Sequence, residues 1–154
     1  MSTKVISLTE LLNLQGHHLG SSSWVEIDQT LINSFAKVTR DEQFIHVDQD
    51  KAKANGFSGT IAHGFLTLSL LSSMSFEVIP TIKGTTASIN YGINNLRFLS
   101  PVSSGSNIRA HFFLKDILEK NNGQYQLILQ VSVEIQDYEK PALVADWITL
   151  LITN

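Results

Sequence analysis

The 154-residue sequence predicts an α+β domain in which a curved antiparallel sheet wraps a central helix, and three patterns carry that expectation. The stretch from Ala54 to Phe76 holds no Asp, Glu, Lys or Arg. Within it, Phe65, Leu66, Leu68, Leu70, Leu71 and Met74 project in nearly all directions around a helix, with small hydroxyl residues between them. A helix that is apolar or small all round is predicted to be enclosed on all sides. Downstream, Leu127, Leu129, Val131, Val133 and Ile135 alternate with Gln130, Ser132, Glu134 and Gln136, a period of two that marks a strand with one buried face. Asn122-Gly123 is a hairpin signal joining this strand to an earlier one through Ile108, Phe112 and Leu114.

In chain order, Ser7-Leu-Thr-Glu10 has the spacing of a capping box, so a short helix carrying Leu8, Leu11 and Leu12 is expected, ended by Gly16 and Gly20. Trp24 to Ile27 reads as a short strand. Asp28 is placed to cap a second helix with an apolar face of Leu31, Ile32, Phe35 and Val38, ending near Thr39 or Arg40. A loop then carries Asp41 to Asp48, and Asp48 caps a brief helix through Lys51 to Ala54 that Asn55-Gly56 closes. Thr60 is the expected cap of the enclosed helix, with Pro80 just beyond its end. Ser88 to Leu99 and Val144 to Ile152 supply two further strands, with Gly92 as the site of a bulge. An enclosed helix followed by four antiparallel strands has one economical solution, a sheet curled around the helix, which is the hot-dog fold. One domain over residues 1–154 is expected.

Composition narrows the function. A net charge of −3 and a pI near 5.9 leave no basic face for nucleic acid, and no run of like charge offers a membrane patch. Asn55, Gly59, His63 and the serines of the uncharged stretch argue against a membrane span. The absence of cysteine removes disulfides, thiolate zinc and a cysteine nucleophile, and fits a cytoplasmic protein. No cofactor is expected. No metal is expected either, since His46, Asp48 and His63 match no standard ligand spacing.

The chemistry concentrates in Asp41-Glu-Gln-Phe-Ile-His46-Val-Asp48 and Gly59-Thr-Ile-Ala-His63-Gly64. A carboxylate and an imidazole this close can share one water as an acid/base pair near neutral pH. Gly64, at the start of the enclosed helix, lets a ligand approach an amide that has no partner within the helix. On the residues alone, Asp41 also fits a cap for the turn after it, His46 a surface position, and Gly64 close helix–sheet packing. His63 is expected to pack or bond locally. His17, His18 and His111 read as structural or solvated.

Together the two segments resemble the MaoC-like (R)-specific enoyl-CoA hydratases, whose pattern is Gly-Asp-x-Asn-Pro-x-His followed by Ala-His-Gly. The resemblance runs from Trp24 to Ile152 and includes Asn95-Leu-Arg97-Phe98-Leu-Ser-Pro101-Val102 with Gly105, similar to the family's strand along its acyl channel. Arg40 stands where the family has glycine and Gln43-Phe44 where it has Asn-Pro, a variant similar to the nodulation protein N-like branch. The resemblance implies that Asp41 and His46 are catalytic, that the Gly64 amide binds the thioester oxygen, and that Ser72 contacts substrate. It further implies hydration of a trans-2-enoyl thioester carried by coenzyme A or acyl carrier protein, in a homodimer. Two alternatives stand beside it, a hot-dog acyl-CoA thioesterase and a non-catalytic acyl-thioester binder. The lack of an acidic residue between Thr60 and Phe76 weighs against the first, and the presence of both Asp41 and His46 against the second.

Overall fold

The computed structural model describes residues 4–121 and 123–154. Its elements are β1 (Val5–Ile6), α1 (Leu8–Leu12), β2 (His17–Ser21), β3 (Val25–Ile27), α2 (Gln29–Thr39), α3 (Phe44–Val47), α4 (Gln49–Ala54), α5 (Gly64–Ser69), α6 (Leu71–Val78), β4 (Thr81–Ile82), β5 (Thr85–Phe98), β6 (Ser106–Asn121), β7 (Gln124–Ile135) and β8 (Leu143–Thr153). The main sheet runs β2-β6-β7-β8-β5, with β3 also paired to β6, and all of its pairings are antiparallel. The small parallel pair β1–β4 ties the start of the chain to the segment after α6.

The period of two seen in the sequence becomes the core. Leu127, Leu129, Val131, Val133 and Ile135 are all buried, as are Ile108, Ala110, Phe112 and Leu114 opposite them on β6. Leu66, Leu71 and Met74 from the central helical segment join the same cluster. This is the sheet-around-helix arrangement of a hot-dog fold. The helix starts follow the predicted chemistry. Ser7 and Glu10 form a full capping box, Asp28 accepts from the Leu31 amide, and Asp48 from the Lys51 amide. The β5 register shifts between Asn90 and Gly92, the predicted bulge. Strands β6 and β7 pair down to Asn121 and Gln124, while Asn122 of the predicted hairpin turn lies outside the described residues.

Several expectations are corrected. The first helix is not ended by Gly16 and Gly20, since α1 stops at Leu12 with Asn13 as its C-cap. Residues His17–Ser21 form β2 against β6, where Gly20, with φ 141°, sits beside a register shift. Val38 is 84% exposed, because α2 rests on Ile32 and Ala36 and turns Val38 to solvent. Thr60 does not cap the central helix. The backbone from Thr60 to His63 is extended and bonds to the segment at Val102 to Ser104, so the helix begins only at Gly64, with His63 as its N-cap residue. That helix is in two pieces, α5 and α6, meeting at Leu70. It is also not enclosed on all sides, since Phe65 and Phe76 are exposed. On the edge strand β5, Ile89, Tyr91 and Ile93 are exposed as well. Among the described residues no helix is long and apolar enough to cross a membrane.

Candidate active site

Three segments meet at the start of α5. The first is the end of α2, where the last turn closes on Arg40 in the left-handed region (φ 61°, ψ 22°) and swings the chain outward to place Asp41. The second is α3, so His46 stands on a helical turn and not on a loop as the sequence suggested. The third is the extended strip from Thr60 to His63. The Ile61 amide bonds the Ile45 carbonyl at 2.9 Å, and Nδ1 of His46 bonds the Ile61 carbonyl at 2.7 Å. Gln29 braces the junction by donating to the His46 carbonyl and accepting from the Thr60 hydroxyl.

A carbonyl can only accept, so Nδ1 of His46 carries the hydrogen and Nε2 is left with a free lone pair. His46 is 7% exposed, and this burial, the largest influence, holds its pKa below the usual histidine value. The nearby His63 acts in the same direction, while the Ile61 carbonyl and Asp41 act against it. Asp41 is exposed, and its carboxylate has no hydrogen-bond partner among the described residues. One donor atom from each of Asp41, His46 and His63 lies within 4.8 Å of the others. The imidazoles of His46 and His63 are stacked, with centroids 3.7 Å apart and planes 25° apart. Stacked rings aim their lone pairs along nearly parallel planes, so an ion in the plane of one ring sits out of the plane of the other. The trio is therefore poorly shaped to share a metal.

His46 and Gly64 line one cleft of about 420 Å³, whose other walls include Phe65, Phe98, Val102 and Ala142. The lining is largely apolar and suits an acyl chain. Gly64 lies close under the Phe98 ring. A Cβ added there would meet the Phe98 ring at 2.9 to 3.2 Å, and its backbone torsions are ordinary. Phe65 and Phe98 form a tilted pair, 5.9 Å between centroids, at the exposed side of this cleft.

Of the residues singled out in the sequence, Asp41 lies beside His46, and His46 shares the cleft with Gly64. Ser72 does not join them. It lines separate clefts, one against Tyr91, Gly92 and Ile93 of β5 and one that includes Thr149 of β8. His63, expected only to pack locally, is more engaged than its sequence context showed, and the Ala-His-Gly pattern was the signal for it. His111 is neither free nor buried. It bridges the Ser21 hydroxyl and the Glu134 carboxylate on the outer face of the sheet, where Arg109 also bonds Glu134 and lies over Trp24.

Comparison with known proteins bears on the family and the fold. The family described as MaoC like domain matches residues 11–135. The chain is 47% identical over 150 residues to nodulation protein N of Rhizobium meliloti, covering 97% of this chain and 93% of that protein. It is 42% identical over 140 residues to 3-hydroxyacyl-thioester dehydratase Z of Mycobacterium tuberculosis, covering 91% and 92%. Among solved structures, the monoamine oxidase regulatory protein of Archaeoglobus fulgius superimposes with a TM-score of 0.82 at 24% identity, over 100% of this chain and 99% of the other. The (R)-hydratase of A. caviae superimposes with 0.70 at 22% identity, over 85% and 94%. At these identities the two structures speak for the fold.

Proposed function

Because the chain belongs to the MaoC-like dehydratase family, we propose that it adds water across the 2,3 double bond of a trans-2-enoyl thioester to give the (R)-3-hydroxyacyl thioester, or runs the reverse dehydration. The observation that carries this reading is the free Nε2 of His46 beside the unpartnered Asp41 carboxylate, next to an apolar cleft that also contains Gly64. The 42% identity to a 3-hydroxyacyl-thioester dehydratase supports the same substrate class.

In the hydration direction, Asp41 and His46 hold one water, and His46 Nε2 takes its proton as the oxygen bonds to C3. The electron pair of the double bond moves towards the carbonyl, and the Gly64 amide donates to the enolate oxygen that results. The enolate collapses as C2 receives a proton from the same pair, which restores the resting site. A water held on one side of the enoyl group reaches one face of C3, so a single enantiomer follows from the site.

A homodimer is part of this reading. Strand β5 is an unpaired sheet edge carrying exposed Ile89, Tyr91 and Ile93, the kind of edge that pairing with a second copy covers. Ser72 faces this edge, so any contact it makes with substrate rests on that assembly. The thioesterase alternative finds little support. Glu77 is the one carboxylate on α6, and it is occupied at the far end with the Ser23 amide, 2.7 Å away.

The decisive experiment follows the loss of enoyl absorbance with crotonyl- and octenoyl-coenzyme A and resolves the product by chiral chromatography. An (R) product is expected, and Asp41→Asn and His46→Gln should each lower kcat by about 10²- to 10⁴-fold without loss of fold. An (S) product, release of free coenzyme A, or near-normal rates in either variant would reject the assignment.

A further inference from the structure

We propose that His63 is a positioning residue that holds the Asp41 main chain and the His46 ring in register for the reaction, a role that rests on the hydration reading above.

His63 is the N-cap residue of α5, yet its side chain makes no capping bond to that helix. It points the other way. Its Nε2 lies 2.8 Å from the main-chain carbonyl of Asp41, its ring stacks on His46, and a second ring, Phe35 of α2, packs at 5.1 Å with a 52° tilt. The residue is only 3% exposed. One side chain thus touches both members of the candidate acid/base pair and neither through its own reactive atoms.

The hydrogen-bond roles follow from the partner. The Asp41 carbonyl must accept, so Nε2 of His63 is the N–H and the neutral ring carries its lone pair on Nδ1. That Nδ1 is buried and has no hydrogen-bond partner. A buried acceptor without a donor is unfavourable, and isosteric carbon would remove the penalty. An imidazole at this place is explained by its two other properties, a donor at Nε2 and a flat face against His46. Asp41 needs such an anchor. It follows a left-handed Arg40 and lies in an irregular stretch, and its amide makes only a long bond of 3.4 Å to the Thr39 hydroxyl. The carbonyl bond to His63 is the short contact on its main chain.

The test compares His63→Phe, which keeps a flat ring and loses the donor, with His63→Gln, which keeps a donor and loses the ring. With enoyl-coenzyme A as substrate, His63→Phe should lose about 10- to 100-fold in kcat with KM within about twofold, the signature of a misplaced reacting group. His63→Gln should recover part of that loss. The titratable groups acting on His46 are His63 and Asp41. Removing the first should therefore raise the His46 titration midpoint, read by histidine ring NMR, and move the acid limb of the rate profile to higher pH. A measurement on the unaltered protein needs no variant to fold, since nitrogen shifts should show His63 as the Nε2–H tautomer. Normal kcat in His63→Phe, a change in KM alone, or an Nδ1–H tautomer would each overturn the proposal. If the unaltered protein hydrates no enoyl thioester, the hydration reading fails by itself, and the tautomer and the His46 midpoint still decide what His63 holds.

Discussion

Nδ1 of His46 donates to the main-chain carbonyl of Ile61 at 2.7 Å, and this bond decides which nitrogen of the ring can act as a base. It also ties α3 to the strip that leads into α5, so a backbone carbonyl anchors the imidazole at Nδ1 while the His63 ring lies against its face. Burial is the main reason that the ring resists protonation. The acid limb of kcat/KM should therefore lie below the ordinary histidine value of about 6.5. The same shift has a sign for stability. The unfolded chain binds the His46 proton more readily than the native state does. The contribution is therefore fully present above pH about 6.5, falls as pH drops from there through the lower native value, and changes no further below it. A pH–rate profile and a parallel series of denaturant melts check both statements. An acid limb above 6.5 would show that His46 is not the group titrating.

Gly64→Ala separates space from conformation. Because Gly64 has unremarkable torsions, alanine costs nothing in the backbone, and the nearest atoms its methyl meets belong to the Phe98 ring, a side chain 46% exposed. Stability should change by no more than about 1 kcal/mol, in keeping with a site able to relax. Activity should fall much further, since the new methyl and the displaced ring both fill the approach to the Gly64 amide; loss of one such donor is worth about 10²- to 10³-fold. Equal activity of Gly64→Ala and the unaltered protein would remove that amide from the mechanism.

What could be read in the sequence was whatever depends on short spacing. The alternation in β7, the caps at Ser7, Asp28 and Asp48, and the proximity of Asp41 to His46 are all local, and all are present in the fold. What was lost depends on partners far along the chain. Residues His17–Ser21 contain two histidines and a glycine and look like a loop, but β6, nearly 100 residues later, supplies the ladder that makes them a strand. Thr60 looks like a cap because nothing local reveals that Gln29 takes its hydroxyl, that the Ser104 amide takes its carbonyl and that Val102 holds Ala62. The stacking of His63 on His46 has the same origin. Spacing brings the two segments to mind, but only tertiary structure lays one ring on the other.

The exposed edge makes a prediction about assembly. Light scattering at micromolar concentration should give twice the 17.1 kDa chain mass. Tyr91→Asp, Ile93→Asp or both should shift that value towards a single chain, because a charge on each copy at an antiparallel edge repels across it. The side chains are already solvent-exposed in one chain, so the substitutions should leave the isolated fold intact. Loss of hydration on dissociation would place Ser72 and its cleft in the working site. A monomer of the unaltered protein would reject the pairing.

Arg40 offers a test of strain beside the site. With φ at 61° it occupies the left-handed region at the end of α2, where a residue with a side chain is disfavoured by about 1–2 kcal/mol. Among the described residues it makes no ion pair or hydrogen bond through its side chain that would offset this. Arg40→Gly relieves the clash, at the cost of a more flexible unfolded chain worth about 0.4–1 kcal/mol. The balance predicts a net gain between zero and about 1.6 kcal/mol, each kcal/mol being worth about 2–4 °C in Tm for a chain of this size. Activity is the informative half. If Arg40 itself fixed the position of Asp41, glycine would let the carboxylate wander and kcat would drop. If the His63 bond to the Asp41 carbonyl holds it, the turnover of Arg40→Gly should stay within about twofold of normal while that of His63→Phe falls. A more stable Arg40→Gly with ordinary kcat would therefore assign the alignment of Asp41 to His63 and leave Arg40 as strain without a catalytic use.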